Sequence, residues 1–590
     1  MTDTWTWATV TQATPLRIKV DGDTSALDAT TDNLVGSLAV DDRVRVHLHS
    51  DGIIVTGIQG GAPVSYVSVR DYGVTSDGTT DDTTNFQAAW NAAATAGLPL
   101  ILEPNTTVLV GLVTIPNGGR LNLNGSTIKR SAAGGGSATL TGTDVSNIEI
   151  WGGTIDGDKA AYAPANEWRH GISLLGCYYV SIHDLTSIRN KGDGIYVGAG
   201  TTECRSIKLD RVICDESHRN GLSIIAVSEF VATASWFRNS SGTNPQAGVD
   251  IEPNSGAQIC TDIVFEGCFM TGSQNFGFLI AMGFVATARQ GAVTLTGCQI
   301  NDNGQAGTAA GGGMRLIGIA GFSMLGGRFY NNGGGSGIIF NGTDTCSDIK
   351  FTGVTVMGND QHGLTVETAV EGLSIVNCYF RSNGTLDSNT YSGIYLIPAT
   401  TMAGVRIIGN KSYGGNQRHG IFTNSNVTNL VSLGNDYRGN ITLDAALNDD
   451  PTTRLQLDDV DTAWAAYTPT WGASTAPSLG NGTLTGTYMR IGKTVHFFIN
   501  LTTGSTTTYG SGIYTLTLPV AAASTSNSMI RGSGIGMQSS RTGLLLYGIS
   551  TTTFRIIRTS TDAEVSSTTG LGIAWDAGHA MTLAGTYEAA

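Results

Sequence analysis

The middle of the chain repeats a short pattern in which a glycine is followed by alternating apolar and variable residues. An alternation with a period of two predicts β-strand rather than helix. Spacings of 23 to 36 residues with no helical segment between copies predict that each repeat is one coil of a parallel β-helix. The ten copies begin at Gly171, Gly194, Gly221, Gly248, Gly277, Gly313, Gly337, Gly363, Gly393 and Gly420.

A second alternating strand lies between the glycine copies and ends in Asn/Gly turns, as at Asn301-Asp-Asn-Gly and Ser382-Asn-Gly. Because coils of a β-helix stack about 4.8 Å apart, equivalent side chains form ladders along the rod. Cys268 and Cys298 fall at matching positions in neighbouring copies. None of the eight cysteines forms a CxxC pair. We therefore expect buried, reduced thiols that pack as small apolar groups, and no zinc site.

In the repeating strand, the first and third residues after the glycine are predicted to point inward, and the second and fourth outward. Aromatic rings on an outward ladder suit the apolar faces of sugars, so Tyr196, Tyr395 and Phe422 are candidate substrate-binding residues, together with Arg219 and Arg315. The alternative is that loops or neighbouring subunits cover this face. The second-position ladder is Ser173, Tyr196, Ser223, Asp250, Leu279, Arg315, Ile339, Thr365, Tyr395 and Phe422.

Asp250 and Glu252, in Gly248-Val-Asp-Ile-Glu-Pro, form the most distinctive acidic pair of the repeats. Two residues apart on one strand, they share a face with Cα atoms roughly 6.5–7 Å apart. That spacing suits a general acid and a general base in glycoside cleavage, so both are candidate catalytic residues. Asp193, Glu216 and His218 on nearby coils are further candidates. The alternative is that all these acids are solvated or form turns.

A second acidic cluster comprises Asp156, Asp158 and Glu167, with His170 close by. Clustered carboxylates can hold Ca²⁺, so a calcium-assisted lyase stays open, with Arg219 or Arg315 as the base that takes a uronate proton. Otherwise no cofactor and no resident metal are predicted. His362 and His419 stand just before repeat glycines and are predicted to be turn residues.

Composition and charge exclude several other classes of protein. The 590 residues include 80 glycines and only 13 prolines, which suits a β-rich fold with many tight turns. A net charge of −14 repels phosphate backbones, so we expect no nucleic-acid partner. The longest apolar stretch, 276–288, is too short to span a bilayer, so no membrane insertion is predicted. The first residues have neither the basic nor the apolar region of a signal peptide.

The flanks of the repeats predict an all-β chain of four parts. Short strands in 1–62 predict a small OB-like β-barrel, and 63–448 holds the β-helix. A helix from Thr80 or Asp81 to about Ala96 is predicted to cap its first coil, with Phe86, Ala89, Trp90 and Ala93 on its apolar face. Residues 449–463 are predicted to be a linker, and the alternating strands of 464–590 predict a β-sandwich or jelly roll.

Three segments resemble parts of bacteriophage tail proteins. Asp71-Tyr-Gly…Asp77-Gly-Thr-Thr-Asp-Asp, followed by Glu103-Pro, is similar to the first segment of pectate-lyase-superfamily right-handed β-helices in phage tailspikes. Val74 and Ser76 depart from that pattern, which more often has Ala and Gly. Residues 1–62 are similar to the N-terminal module of minor tail proteins of actinobacterial phages. The stretch from Tyr467-Thr-Pro-Thr-Trp to Val495 resembles C-terminal domains of phage tail fibres and receptor-binding proteins, which implies trimerisation, receptor or glycan binding, or both, for residues 464–590.

The resemblance implies a virion protein of the phage tail tip or baseplate. Its expected partners are a host surface glycan, other tail proteins bound through residues 1–62, and two further copies in a homotrimer. Three functions follow: a polysaccharide depolymerase (glycosidase or lyase), a non-enzymatic receptor-binding or structural rod, and a cellular carbohydrate-active enzyme. The missing signal peptide and the tail-like N-terminal module argue against the third.

Overall fold

A computed structural model describes most of the chain, with 4% helix and 51% strand, which is the predicted all-β class. The described residues are 4–13, 16–20, 31–33, 43–49, 52–58, 66–162, 168–283, 291–304, 311–447, 455–457, 464–491, 493–524, 530–537, 540–572 and 574–590.

Thirteen parallel strands of the described residues stack in chain order to form one sheet of a β-helix, here called the thirteen-stranded sheet. Each glycine copy contributes one of these strands, as the repeat predicts. The strands are Val113–Thr114, Ala138–Thr143, His170–Leu175, Ile195–Gly198, Leu222–Ile224, Val249–Ile251, Phe276–Ala281, Gly312–Ile317, Ile338–Phe340, Leu364–Val366, Ile394–Leu396, His419–Thr423 and Leu443–Leu447.

The rest of each coil belongs to a second parallel sheet, the long sheet, which most coils cross twice before returning to the thirteen-stranded sheet. Two short strands, Met402–Ala403 and Val427–Thr428, pair separately. The strands of the long sheet are Val67–Ser68, Asp77–Asp81, Leu100–Ile101, Thr107–Val110, Arg120–Asn122, Thr127–Arg130, Ser146–Asp156, Tyr178–Ile188, Cys204–Asp210, Ile213–Asp215, Val227–Thr233, Trp236–Arg238, Cys260–Glu266, Phe269–Thr271, Gly291–Thr296, Gln299–Asn301, Ala320–Leu325, Arg328–Tyr330, Cys346–Thr352, Thr355–Met357, Val370–Glu371, Ser374–Val376, Tyr379–Arg381, Arg406–Ile408, Lys411–Tyr413, Val431–Leu433 and Leu455–Leu457.

The inward and outward positions of the repeating strand follow the predicted alternation. In Gly248-Val-Asp-Ile, Val249 and Ile251 lie in the core of the rod, which extends from Val69 to Tyr437 as one apolar cluster. All ten second-position residues stand in register, from Ser173 beside Tyr196 to Tyr395 beside Phe422. The predicted ladder is therefore confirmed as a continuous row along one sheet.

The eight cysteines are all buried and free, as predicted. Phe269 pairs with Gln299, which places the preceding residues, Cys268 and Cys298, in adjacent coils. Burial raises the pKa of the Cys260 thiol to about 12, so this thiol stays protonated and packs as an apolar group.

Asparagines at the ends of strands, two of them in the predicted Asn/Gly turns, form an internal ladder that the pattern did not predict. Asn303, Asn332, Asn359 and Asn383 are fully buried, and each amide nitrogen donates to the side-chain oxygen of the next coil's residue at 2.8–3.0 Å. The ladder continues from Asn383 to Gln417. These residues end strands, as a turn residue does, but their side chains point into the core, where each buried amide is paired with the next coil.

A helix over Thr83–Ala96 covers the first coils of the rod. Its buried face is Phe86, Ala89, Trp90 and Ala93, and Gly97 follows it at φ 68°, both as predicted. The residue directly before the helix is Asp82, not the predicted Thr80 or Asp81, and its carboxylate accepts hydrogen bonds from the backbone of Thr75 and Ser76. The carboxylate of Asp81 does accept from the backbone N–H of Thr83, the first helical residue, at 3.0 Å. The described residues also contain two 3₁₀ turns, Val69–Tyr72 and Lys159–Ala161.

The N-terminal segment forms its own five-stranded sheet with a separate apolar core that includes Val10, Ile18, Val44 and Val55. Its strands are Thr4–Ala13, Leu16–Val20, Thr31–Asn33, Arg43–His49 and Gly52–Ile58. Its role in tail attachment stays a prediction. Leu455–Leu457, inside the predicted linker, pairs in parallel with Val431–Leu433, so the pairing of the rod continues beyond residue 448; the rest of that segment lies outside the described residues.

The C-terminal strands form one continuous antiparallel sheet that folds over a single core. Phe497 and Phe554 lie four strands apart in the sheet order, yet their ring centroids are 5.5 Å apart. A flat sheet would separate them by roughly 19 Å, so its two halves face each other as in a sandwich. The strands are Ala465–Tyr467, Trp471–Gly472, Thr483–Ile491, Thr494–Thr502, Thr515–Thr517, Arg531–Met537, Arg541–Gly548, Thr553–Arg558 and Ala580–Glu588.

Candidate functional site

A group of charged side chains lies on the outer face of the thirteen-stranded sheet, where three successive coils meet. Asp250 is the ladder residue of its strand, and Glu252 follows on the same face. Asp193 and Arg219 come from the turns just before the two preceding glycine copies. Arg219 acts electrostatically on the carboxyl groups of Asp193, Asp250 and Glu252. The structure thus brings together four of the predicted site residues, here called the acidic cleft.

Asp193 and Arg219 form the buried ion pair of this cleft. Nη1 of Arg219 lies 3.3 Å from the carboxylate of Asp193. The side chain of Asp193 has no exposed surface, and that of Arg219 is 13% exposed. The backbone N–H of Asn220 also donates to this carboxylate, at 3.0 Å. Burial opposes ionisation of Asp193, but His170 and Arg219 outweigh it and hold its pKa below the ordinary value. Asp193 is therefore a fixed negative charge.

Asp250 has the opposite character. It is fully buried, and its Oδ2 accepts a hydrogen bond of 3.0 Å from the side-chain amide of Asn220. Among the described residues, its Oδ1 has no hydrogen-bond partner. Burial first, then the nearby Glu252, raise the pKa of Asp250 well above its ordinary value, against the effect of Arg219. Burial also raises the pKa of Glu252, which keeps part of its surface open.

Asp250→Asn is expected to stabilise the protein at pH 7. A raised pKa means that folding favours the protonated carboxyl. The free energy of unfolding therefore falls as the pH rises from the pKa of the unfolded chain, about 3.9, to the pKa of the folded protein. Asparagine keeps an acceptor for Asn220 without that penalty. Thermal unfolding from pH 4 to 8 should show a melting temperature above wild type at neutral pH and a gap that narrows toward pH 4.

The control for this prediction is Asp184→Asn, because Arg211 first and then His183 lower the pKa of the exposed Asp184. A lowered pKa stabilises the folded protein at pH values above the pKa of the unfolded chain. Asp184→Asn should therefore destabilise the protein slightly at pH 7, and its effect should change with pH in the opposite direction. If Asp250→Asn follows the same trend as Asp184→Asn, the carboxyl of Asp250 is ionised in the folded protein.

Aromatic side chains border the cleft at its N-terminal end. The ring of Tyr196, the ladder residue two coils before Asp250, stacks on His170 with centroids 4.7 Å apart. Nδ1 of His170 lies 3.0 Å from the backbone nitrogen of Asp193 and 3.2 Å from its carboxylate. Trp168 is 55% exposed, and the guanidinium of Arg219 lies 5.3 Å from its ring centroid. Trp168 precedes the first glycine copy and belongs to no repeat, so the sequence pattern did not single it out.

Two predicted catalytic residues lie elsewhere on the same coils. Glu216 is exposed in a turn after the long sheet, where its backbone carbonyl accepts from Lys159. His218 contacts Lys191 and Thr243, with Nε2 at 3.3 and 3.2 Å from their polar atoms. Of the second acidic cluster, Asp156 pairs with Arg189 and Asp158 with Lys129, whereas Glu167 lies outside the described residues.

The other predicted substrate-binding residues lie farther along the ladder. Arg315 is two coils beyond Asp250, and its Nε donates to Asn341 at 2.7 Å. Tyr395 and Phe422 pack against each other with centroids 5.1 Å apart. His362, predicted as a turn residue, stacks on Tyr395 at 4.0 Å, and burial lowers its pKa to about 3. These aromatics form a second group, separate from the acidic cleft.

The middle of the outward ladder is covered rather than open. Leu279 packs with Ala247 and Phe276 in a small apolar cluster outside the rod's core, with Ile339 against it. Ser223 and Asp250 have no exposed surface. The alternation correctly predicted that these side chains point outward. It could not predict whether they are exposed, because the outward side of a strand faces solvent only if no loop crosses it.

Nothing in the described residues brings three or more His, Cys, Asp or Glu side chains together as metal ligands. Calcium therefore stays an untested expectation. The part of the chain that the structure describes also contains no helix long and apolar enough to cross a membrane.

Comparison with known proteins defines the class to which this fold belongs. The tailspike protein gp208 of Dettilon has a TM-score of 0.53 at 14% sequence identity, over 89% of this chain and 94% of that one. The A-module of the mannuronan C-5 epimerase AlgE4 from Azotobacter vinelandii gives 0.46 at 16% identity, over 66% and 98%. The chain therefore has the parallel β-helix fold of a phage tailspike.

Sequence comparison adds one relative. The uncharacterized protein YclG of Bacillus subtilis (strain 168) is 28% identical over 222 residues, which cover 32% of this chain and 38% of that protein. The chain thus spans well under half the length of this curated relative. No protein-family model matches.

Proposed function

We propose that the chain is a phage tail protein that binds a host surface polysaccharide at the acidic cleft. The observation that carries this proposal is the group of Trp168, Arg219 and Glu252: an open indole, a guanidinium and a half-open carboxyl converge on one face. An exposed ring presents an apolar surface to a sugar, while the two polar groups bind its hydroxyls. The tailspike-like fold supports the role in a tail.

Cleavage of that polysaccharide is the finer proposal, with Glu252 as the general acid. Burial raises the pKa of Glu252, against the effect of Arg219, and so favours the protonated form that such an acid needs. Glycosidases use a second carboxyl group. Asp193 is the ionised candidate, but its side chain has no exposed surface, so cleavage requires that it becomes accessible when the sugar binds. Asp250 then accepts the hydrogen bond from Asn220 rather than touching the sugar.

Binding without cleavage is the second candidate function, and one observation favours it. Asp193 and Asp250 have no exposed surface, which leaves Glu252 as the open carboxyl of the cleft. A lyase would need a different base, for which Arg219, already paired with Asp193, is a poor choice.

The two candidates separate in one assay. Purified protein is incubated with host-derived polysaccharide, and both binding and new reducing ends are measured, with ultraviolet absorbance of unsaturated products as the sign of a lyase. Reducing ends that disappear in Glu252→Gln while binding persists support cleavage by Glu252. Binding with no product from any host polysaccharide supports the receptor-binding function.

Trp168→Ala is expected to weaken polysaccharide binding about tenfold or more, which corresponds to about 1.4 kcal/mol. Truncation removes the open ring over Arg219 without touching the core of the rod. Tyr178→Ala is the matched control, because Tyr178 is a 43% exposed aromatic on the long sheet. Isothermal titration should show a loss for Trp168→Ala and none for Tyr178→Ala. Equal affinities of all three proteins would place the binding site elsewhere.

The assembly belongs to the same proposal. Residues 1–62 attach the protein to other tail or baseplate proteins, the chain forms a homotrimer, and the protein resides at the tail tip of the virion. The separate core of the N-terminal sheet supports an independent attachment module.

A further inference from the structure

Arg130 is a buried arginine near the N-terminal end of the rod. It ends the strand Thr127–Arg130 in an inward position, and its side chain is 1% exposed. Its Nη2 donates to the three successive backbone carbonyls of residues 134–136, at 3.4 Å for the first and 3.2 Å for the last. Its Nε and Nη1 have no hydrogen-bond partner among the described residues. The guanidinium is therefore buried with donors to spare.

Arg169, on the next coil, adds a second positive charge at the same place. Its Nη1 donates to the carbonyl of Gly134 at 2.7 Å, so both guanidiniums contact one oxygen atom. The guanidinium of Arg169 also lies 4.5 Å from the ring centroid of the buried Tyr162, whose hydroxyl donates to Ser131 at 2.8 Å. Arg130 and Arg169 are here called the arginine pair.

The arginine pair differs from the buried arginine of the acidic cleft in its counter-charge. Arg219 has three carboxyl groups close enough to act on it. Burial above all, and then Arg169, lower the pKa of Arg130, and no carboxyl group of the described residues acts against them. A fully buried arginine is rarely left unpaired, because a buried charge without a counter-charge is costly. An anion bound between the two guanidiniums would remove that cost.

A loop of small residues, 131–137, separates Arg130 from solvent. Most of the loop is exposed, and a side-chain carbon added at Gly135 would meet no atom within 4 Å. The cover over Arg130 is therefore backbone rather than packed side chains. Moving the loop breaks carbonyl contacts but exposes little apolar surface, so this part of the rod opens at low cost. An oxyanion can then replace the carbonyls at both guanidiniums.

Trp168 lies between the arginine pair and the acidic cleft. Its ring is next to the guanidinium of Arg219, two glycine copies farther along the rod. Arg169, the following residue, reaches in the opposite direction, to the loop before the strand Ala138–Thr143, which pairs with the strand His170–Leu175. A sugar on the ring of Trp168 therefore has the acidic cleft on one side and the arginine pair on the other.

We propose that the arginine pair is a subsite for an oxyanion substituent of the polysaccharide, so that the ligand of this protein is an acidic polysaccharide. The inference rests on the proposed binding at the acidic cleft. Guanidinium groups form strong, charge-assisted hydrogen bonds with carboxylates and phosphate esters. Because the chain carries a net charge of −14, an acidic ligand needs a local positive site to hold it.

Arg169→Gln tests the subsite, with the host-derived polysaccharide as the probe in two forms: native, and with its carboxylates reduced to alcohols. Isothermal titration should show that the variant binds the native form more weakly than wild type by about tenfold or more. Arg169→Lys keeps the charge and should recover part of the affinity. Wild type and Arg169→Gln should bind the reduced form equally weakly. If the anion is a phosphate ester, this equality appears instead with polysaccharide from which phosphate has been removed.

The matched control is Arg205→Gln, which removes the same charge from an exposed position on the long sheet and should leave the affinity unchanged. Arg130→Met separates binding from stability. It removes a buried charge that lacks a counter-charge, so without polysaccharide its melting temperature should equal or exceed that of wild type, while affinity for the native form falls. A lower melting temperature with unchanged affinity would mean that Arg130 serves to hold the loop.

The remaining outcomes distinguish this inference from the proposed function. If Arg169→Gln binds the native polysaccharide as wild type does, while Trp168→Ala does not, the subsite is overturned and binding at the acidic cleft stands. If Arg169→Gln loses the same factor with the native, reduced and phosphate-free forms, Arg169 positions Trp168 and holds no anion. A wild-type protein that binds none of the three forms overturns both proposals.

Discussion

Replacing Arg219 by methionine is expected to abolish polysaccharide binding and to lower the free energy of unfolding by about 3–5 kcal/mol. Methionine keeps most of the apolar stem but leaves the carboxylate of Asp193 buried without its guanidinium partner. His170 and the backbone N–H of Asn220 still face this carboxylate. A buried charge that loses its guanidinium partner nevertheless costs more than the pair contributes, so most of the loss comes from Asp193 rather than from packing. Urea unfolding measured at pH 7 gives the change in free energy.

Two further variants identify the cause. Arg120→Met breaks an ion pair with Glu149 whose side chains are 44% and 33% exposed, and should cost at most about 1 kcal/mol. Adding Asp193→Asn to Arg219→Met should restore much of the stability, because it removes the unpaired charge. A double variant as unstable as Arg219→Met alone would mean that Arg219 acts through packing against Trp168.

Asn332→Leu is expected to destabilise the rod by about 2–6 kcal/mol, since it leaves at least two buried polar groups without partners at about 1–3 kcal/mol each. The side-chain oxygen of Asn332 accepts from the backbone and amide nitrogens of Asn303, and its own amide donates to Ile300 and Asn359 at 3.0 and 2.9 Å. Leucine has the same number and branching of side-chain heavy atoms as asparagine but satisfies none of these groups. Thermal and urea unfolding give the change.

The control is Asn91→Leu, because Asn91 is exposed on the helix that covers the first coils. Its effect should stay within about 0.5 kcal/mol, as for other surface changes. If Asn332→Leu costs no more than Asn91→Leu, the ladder adds no net stability, and its asparagines serve only to end the strands.

The proposed function depends on accessibility more than on residue type. In the sequence, Asp250 and Glu252 are two acidic residues that nothing local distinguishes. In the structure, Asp250 is fully buried and Glu252 is partly exposed. A carboxyl that touches no solvent cannot donate a proton directly to a bound sugar in this conformation. The proposal therefore gives the catalytic role to Glu252 and a positioning role to Asp250.

The fold of the rod could be predicted from the sequence, because a β-helix is specified by a short pattern that repeats along the chain. Alternation fixes which side chain points inward, and a constant spacing fixes which coil follows which. The register of all ten ladder residues and the burial of Cys268 and Cys298 follow from these two rules. The apolar face around Phe86 and Trp90 follows from the helical period instead.

The tertiary structure alone decided what covers the ladder and which charges meet. Asp193 and Arg219 lie 26 residues apart and come into contact only because one coil stacks on the next. Trp168 enters the cleft from outside the repeat, and the ladder asparagines bend inward to find amide partners. Burial and hydrogen-bond partners depend on neighbours far along the chain, so no local pattern of apolar and polar residues encodes them.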